Sequence, residues 1–252
     1  MARLDGKIVV VTGGASGLGR SGATLMHAEG AVVVITDINA ELGRETAAEV
    51  GENCLYLEHD VSQLDDWNRV FEQVIERYGR VDVLVNNAGI VVVADVEKTT
   101  LEEWRRVHSV GTDGTFFGIQ LAIGAMRKTG GGSIINMSSL AGIMGYPLIF
   151  AYSASKGAIR SMTKSAAVYC AQNSFDIRVN SIHPGTIATP MVAGFSADVE
   201  DQGEDRVKLK IGQPDDVGHM MVYLASDESK FVSGSEFVID STASVTEGLV
   251  PG

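Results

Sequence analysis

Short apolar runs alternate with amphipathic segments along most of this chain. The runs are KIVVVTG (7–13), AVVVITD (31–37), CLYLEHD (54–60), VDVLVNNAG (81–89), GSIINMSS (132–139), DIRVNSIHPG (176–185) and SEFVID (235–240). Short runs of this kind predict strands, and those that are apolar throughout predict burial on both faces, as in parallel sheets. The segments between them carry apolar residues at helical spacing and end at glycines such as Gly51 and Gly79, which predicts helices.

Strands and helices that alternate in this way predict βαβ units in one sheet. We therefore predict an α/β fold, a Rossmann-like doubly wound sheet of about seven parallel strands, in a single domain over residues 1–252. Residues 191–213 are the least regular segment and follow the end of a strand, where such folds bind ligands. This segment predicts a substrate lid, and a plain surface excursion is the alternative.

Charge and composition narrow the possible partners. The net charge is −12, and an acidic surface disfavours nucleic acid and anionic membranes. No apolar stretch approaches the ~18 residues of a membrane span, and the first apolar run is too short for a secretory signal. Cys54 and Cys170 are far apart, which predicts reduced thiols in a cytoplasmic protein. The five histidines lack metal-ligand spacing, so we expect no metal site.

The stretch TGGASGLG (12–19) joins the first predicted strand to the first predicted helix. Gly13 permits a tight turn, while Gly17 and Gly19 let the backbone approach an anion at the helix N-terminus. This context predicts a dinucleotide phosphate site, with a plain turn as the alternative. The predicted cofactor residues of this stretch are Gly13, Ser16, Gly17, Leu18 and Gly19.

Polar residues at the ends of the next strands extend the predicted cofactor site. Asp37 could accept hydrogen bonds from a ribose diol and would repel a 2′-phosphate. No Arg or Lys follows it closely and Ser16 is uncharged, which favours NAD over NADP; a helix-capping role for Asp37 is the alternative. Asp60 could bind the adenine amino group, with Val61 beside it. The small residues that end the fourth strand, and that would meet the cofactor, are Asn87, Ala88 and Gly89.

Candidate reacting groups follow the fifth strand. Tyr152 and Lys156 in YSASK (152–156) lie four residues apart, on one face of a helix. A nearby ammonium lowers the pKa of a phenol from about 10, so the tyrosine could act as a general acid or base. Ser139 could donate a hydrogen bond to the substrate oxygen. A Tyr/Lys pair on a helix also arises by chance, and its position after a nucleotide-binding loop favours catalysis.

Taken in order, these motifs resemble the short-chain dehydrogenase/reductase family over nearly the whole chain. The matching pieces are TGGASGLG, Asp37, HDV, NNAG, NMSS, YSASK, RVNSIHPG and ATP. The chain is most similar to bacterial 3β/17β- and 3α/20β-hydroxysteroid dehydrogenases and related NAD-dependent secondary-alcohol dehydrogenases. The resemblance implies a homotetramer that interconverts a secondary alcohol and a ketone. Apolar residues before Tyr152 favour a bulky substrate such as a hydroxysteroid or cyclic alcohol.

The resemblance also implies a role for each reacting group. Ser139 would orient the substrate oxygen, Tyr152 would exchange the proton, and Lys156 would lower the tyrosine pKa and bind the nicotinamide ribose. The residues that would hold the carboxamide are Pro184, Gly185, Ile187 and Thr189. A long helix that starts near Thr100 and the helix that carries Tyr152 would form a dimer contact, with intramolecular core as the alternative.

The chain departs from the family pattern at two places. Gly111 stands where relatives usually carry an asparagine, at a helix kink whose carbonyl holds a water linking Lys156 to solvent. Glycine keeps that carbonyl and tolerates the kink, so we predict a weakened proton relay, and asparagine at Gly111 should raise turnover or leave it unchanged. The last strand runs into Asp240-Ser241-Thr242 instead of Asp-Gly-Gly, which could shape substrate access or the oligomer contact.

Two other functions stay open at this point. A 3-oxoacyl carrier-protein reductase would use the same fold but predicts a preference for NADPH, which Asp37 opposes. A non-catalytic nucleotide-binding member would explain the missing asparagine at Gly111.

Overall fold

Seven parallel strands form one sheet in a computed structural model that describes residues 2–193 and 210–245. The strands are β1 (Ile8–Thr12), β2 (Val32–Asp37), β3 (Cys54–Glu58), β4 (Val83–Asn86), β5 (Gly132–Met137), β6 (Ile177–Pro184) and β7 (Glu236–Ile239). Their order is β3-β2-β1-β4-β5-β6-β7. After β3 the chain returns to the middle of the sheet, so β2 and β4 lie on opposite sides of β1. Such a switch point in the strand order opens a crevice at the carboxyl ends of the strands. The predicted fold is confirmed.

Helices cover both faces of this sheet. They are α1 (Gly17–Ala28), α2 (Ala40–Val50), α3 (Leu64–Tyr78), α4 (Leu101–His108), α5 (Gly114–Met126), α6 (Phe150–Gln172), α7 (Pro190–Ala193) and α8 (Pro214–Ala225). Alternate residues of β1 enter two separate cores, because side chains of a strand point to opposite faces. Val9 and Val11 pack with α1 and α8 around Met26 and Met221, whereas Val10 packs with the helices on the other face.

The long helix predicted from Thr100 is interrupted. Thr100 and Glu103 form a reciprocal capping box at its start. However, α4 ends at His108, and a π-helical turn, Ser109–Asp113, separates it from α5. A π-helical turn adds a residue to the helical repeat and is often found at functional sites. Gly111 lies within it and is buried, so the turn lies where the resemblance implies a kink.

Part of the predicted lid lies outside the described residues. Residues 194–209 are not described, while α7 contains 191–193, and residues 210–213 lead into α8. Within residues 2–193 and 210–245, no helix is long and apolar enough to span a membrane. The same residues contain no group of three or more His, Cys, Asp or Glu side chains that could hold a metal ion.

Candidate active site

A cleft of about 340 Å³ lies at the carboxyl ends of the strands. Every predicted site residue except Gly19 lines it. The cleft is also lined by residues that the sequence analysis did not select, chiefly Ile38, His59, Ile90, Val110, Met137 and Ser138. Most of these are apolar and carry no chemical signal, so only the topology brings them to the site.

The glycine-rich loop is built for close contact. Gly13 and Gly17 adopt positive φ angles of 62° and 53°. Ser16 is the N-cap of α1 but makes no side-chain capping hydrogen bond, so its side chain leaves the first N–H groups of this helix uncapped. Such N–H groups, together with the helix dipole, favour an anion. A side chain at Gly19 would overlap the Gly13 carbonyl oxygen. Gly19 therefore allows the start of α1 to pack closely against the loop, although it does not itself line the cleft.

A clamp joins this loop to the end of β4. The Thr12 hydroxyl oxygen accepts the N–H groups of Asn87 and Ala88 at 3.0 and 3.1 Å. In return, the Asn87 amide donates to the carbonyl oxygens of Thr12 and Gly13 at 2.9 and 3.1 Å. The Asn87 side chain therefore fixes the crevice at the switch point. The loop, its uncapped helix end and this clamp fit the pyrophosphate of a dinucleotide.

Asp37 lies beside the same loop. Its carboxylate accepts the Ala15 N–H at 3.2 Å and the Asn39 N–H at 3.0 Å. The helix-capping alternative is wrong, because Asn39 caps α2 by accepting the Leu42 N–H. A carboxylate oxygen has spare lone pairs beyond one such bond. Asp37 can therefore still accept hydrogen bonds from ribose hydroxyls.

At the end of β3, Asp60 and His59 line the adjoining part of the cleft. One carboxylate oxygen of Asp60 accepts both the N–H and the hydroxyl of Ser62, at 2.9 and 2.7 Å. His59 bonds to the Thr36 hydroxyl at 2.9 Å and packs edge-on against Trp67. Burial lowers the pKa of His59 to about 4, so this ring is neutral near pH 7.

The three predicted reacting groups come together in the same cleft, away from His59 and Asp60. Tyr152 and Lys156 lie in the first turns of α6, while Ser139 follows β5 and starts a 3₁₀ turn, Leu140–Gly142. The Lys156 ammonium donates to the Met137 carbonyl at 2.7 Å and lies 5.4 Å from the centre of the Tyr152 ring. Tyr152 and Ser139 line the same part of the cleft, and the Ser139 side chain acts to lower the pKa of the Tyr152 hydroxyl.

The expected low pKa of Tyr152 is not what the structure gives. Burial raises the pKa of Tyr152 to about 12, and the hydrogen bond from Ser139 offsets only part of that rise. Lys156 does not offset this rise: burial lowers its own pKa to about 8, which leaves it charged at pH 7, but its ammonium donates to the Met137 carbonyl rather than to the phenol. The phenol is therefore protonated at neutral pH and suited to donate a proton.

The chain is similar to known proteins over nearly its whole length. Residues 13–242 match the family model described as "Enoyl-(Acyl carrier protein) reductase". An NADP-dependent (R)-specific alcohol dehydrogenase of Lentilactobacillus kefiri is 47% identical over 94% of this chain and 96% of its own length. The 3-beta-hydroxysteroid dehydrogenase of Comamonas testosteroni is 42% identical over 95% and 96%. A cyclopentanol dehydrogenase of Comamonas sp. is 41% identical over 95% and 98%.

Proposed function

Because this chain belongs to the short-chain dehydrogenase/reductase family, we propose that it is an NAD-dependent dehydrogenase that interconverts a secondary alcohol and a ketone. One observation carries the proposal. Ser139, Tyr152 and Lys156 line the same cleft as the glycine-rich loop and Asp37, so a dinucleotide along the strand ends would meet a proton donor. When bound, the nicotinamide supplies or accepts the hydride.

The chain's own groups would handle the proton and the substrate oxygen. In the reducing direction, the Tyr152 hydroxyl donates its proton to the carbonyl oxygen, and in the oxidising direction its oxygen accepts the alcohol proton. The Ser139 hydroxyl donates a hydrogen bond to the same substrate oxygen. Lys156, which is only 4% exposed, would hold the nicotinamide ribose.

The preference for NAD rests on charge at the ribose end of the cleft. Asp37 would repel a 2′-phosphate. Lys156 is the only lysine or arginine among the described residues that line the cleft, and it lies at the opposite end, beside Tyr152. A relative at 47% identity is named NADP-dependent, so cofactor preference needs direct measurement.

An apolar substrate is favoured by exposed side chains that precede Tyr152 in the chain and by the start of α7. The loop before α6 and the start of α7 present partly exposed apolar groups, namely Ile143, Met144, Tyr146, Leu148, Phe150 and Met191. Such a surface suits a bulky, weakly polar alcohol. Relatives named for hydroxysteroids and cyclopentanol support the same substrate class.

A homotetramer is also part of the proposal. Phe116 of α5 and Tyr169 of α6 are 46% and 48% exposed, and they flank an apolar groove with Ile119, Met162 and Ala166. Apolar surface of this kind favours association. Ala122 of α5 instead lies in the intramolecular core. Sedimentation velocity should give a tetramer, and a monomer at micromolar concentration would contradict the proposal.

The test of function is oxidation of cyclic and steroid alcohols with NAD, followed by NADH absorbance. We expect kcat/KM to be at least about tenfold higher with NAD than with NADP. Tyr152→Phe keeps the ring and should lower kcat by about 100-fold or more. Preference for NADPH with activity on 3-oxoacyl thioesters would favour the reductase alternative. NAD binding by calorimetry with no turnover of any alcohol would favour a non-catalytic protein.

The pH dependence follows from the proton that Tyr152 carries. Alcohol oxidation needs the deprotonated phenol, and burial holds the pKa of Tyr152 high, at about 12. We therefore expect kcat for oxidation to rise from pH 7 to pH 9, whereas ketone reduction does not. Initial rates in both directions measure this difference, and an oxidation rate that is flat over this range would contradict it.

A further inference from the structure

A buried histidine touches the backbone of the predicted catalytic serine. His183 of β6 is 0% exposed. Its Nδ1 lies 3.3 Å from the Ser139 carbonyl oxygen, and its Nε2 lies 2.8 Å from the Ser181 hydroxyl. A carbonyl oxygen only accepts, so Nδ1 must carry the proton, and Nε2 accepts from Ser181. Both ring nitrogens are thus used.

The backbone explains why a side chain is needed here. The ladder between β5 and β6 ends with the Ser138 N–H donating to the Ile182 carbonyl at 2.8 Å. The next donor from β6 would be the N–H of residue 184, and Pro184 has none. The His183 ring therefore supplies the next link between the two strands, one residue further along, at Ser139.

We propose that His183 is a positioning residue for the reaction: its imidazole holds the Ser139 backbone so that the serine hydroxyl stays in place beside Tyr152, where the substrate oxygen would bind. This rests on the proposed function. The Ser139 carbonyl also accepts the Gly142 N–H at 3.0 Å, so it is held from two sides. An apolar residue would fill this interior without polar atoms that need partners, which argues that the ring is kept for its hydrogen bonds.

Charged groups around the ring do not compete for these bonds. Glu236 of β7 and Arg160 and Lys156 of α6 act on His183 through space, and burial lowers the pKa of His183. Glu236 itself accepts from Arg160 at 2.8 Å. The ring is therefore neutral near pH 7, in the single tautomer that the Ser139 carbonyl requires.

The test compares two substitutions of His183, one that removes its hydrogen-bond donor and one that keeps a donor. His183→Phe keeps the ring volume and removes both nitrogens, whereas His183→Asn keeps an N–H donor near the place of Nδ1. With cyclopentanol or another alcohol that the enzyme oxidises, H183F should lower kcat about tenfold with little change in KM. H183N should stay within about threefold of the unchanged protein. The affinity for NAD, measured by calorimetry, should not change in either variant.

A pH profile separates positioning from a merely structural role. In the free enzyme the Ser139 side chain acts to lower the pKa of Tyr152, so loosening Ser139 should move the pH profile of kcat/KM for oxidation in H183F to higher pH and leave that of H183N in place. Ser181→Ala, which removes only the partner of Nε2, should have the smaller effect. Equal loss of kcat in H183F and H183N, or unchanged kcat in H183F, would overturn the proposal.

One readout does not depend on turnover. In protein with ¹⁵N-labelled histidine, the His183 signal, assigned by its loss in H183F, should show a protonated Nδ1 and an unprotonated Nε2 near pH 7. The opposite tautomer would overturn the role of His183 even if the enzyme is active. If no alcohol is oxidised by the unchanged protein, the proposed function fails, and the positioning role of His183 fails with it.

Discussion

Gly111 and the pair Ser241–Thr242 depart from the family pattern in opposite ways. At Gly111 a glycine replaces a side chain, and at Ser241–Thr242 side chains replace glycines. The structure gives each departure a different physical meaning. Gly111 has no positive φ, so its glycine is needed for space, whereas Ser241 and Thr242 have φ angles of 48° and 76°, a conformation that favours glycine. One departure from the family pattern thus concerns packing, and the other concerns backbone strain.

Space at Gly111 is taken by α6. A Cβ atom at this position would overlap the Ser155 hydroxyl, which is buried and accepts from the Thr112 hydroxyl at 3.1 Å. Ser155 directly precedes Lys156. The π-helical turn and α6 therefore meet closely because residue 111 has no side chain.

The turn after β7 keeps its shape in spite of its side chains. The Asp240 carboxylate accepts the N–H groups of Thr242 and Ser244 at 3.1 and 2.7 Å. Asp240 also packs on Gly185, whose N–H donates to the Ile239 carbonyl at 2.9 Å. The hydrogen bonds of Asp240 offset part of the strain, and they hold the turn against a residue that lines the cleft.

Among changes at these two departures, the largest effect is expected from Gly111→Asn. The sequence alone predicts unchanged or higher turnover, but the structure reverses that expectation, because the new side chain must displace Ser155 beside Lys156. Overpacking of this kind costs about 1–3 kcal/mol, and we expect kcat to fall at least about tenfold. Steady-state rates and thermal unfolding measure both effects. Gly111→Asn with Ser155→Gly should recover most of the loss, and full activity in G111N alone would show that space is not limiting.

A smaller effect is expected from Gly111→Ala, which tests the contact between residue 111 and Ser155. Gly111→Ala should lower the free energy of unfolding by about 1 kcal/mol, because Ser155 must rotate and lose its bond to Thr112. In a Ser155→Ala background the same change should be neutral or slightly stabilising. A Cβ atom at residue 111 would lie 3.6 Å from the Cβ atom of residue 155, which is an ordinary van der Waals contact. Urea unfolding of the four proteins measures this coupling. Additive effects would show that Gly111 and Ser155 are independent.

The smallest effect is a gain of stability after β7. Thr242→Gly removes a β-branched side chain from a left-handed conformation, and we expect a net gain of about 1 kcal/mol after the entropy cost of glycine. Ser241→Gly should give less. Thr242→Ala keeps a Cβ atom and serves as the matched control, with no comparable gain. A loss of stability in T242G would mean that contacts of the Thr242 side chain outweigh its backbone strain.

Several site features were predictable because they depend on local order in the chain. A glycine loop between a strand and a helix, a carboxylate at the next strand end, and Tyr152 four residues before Lys156 each have a meaning without distant contacts. The clamp of Asn87 on Thr12 and the link from His183 to Ser139 were not predictable. They join residues of different strands, and nothing local in the sequence indicates which side chains will meet.

Periodicity and strand-end chemistry are local, so they were enough to predict the alternation of strands and helices, the single parallel sheet and the set of groups that gather at its carboxyl edge. The environment of those groups depends instead on the folded chain. Burial raises the pKa of Tyr152 and lowers that of Lys156, and the close approach of α6 limits the space for a side chain at residue 111. Desolvation and steric fit depend on what surrounds a side chain, and those surroundings exist only once the chain has folded.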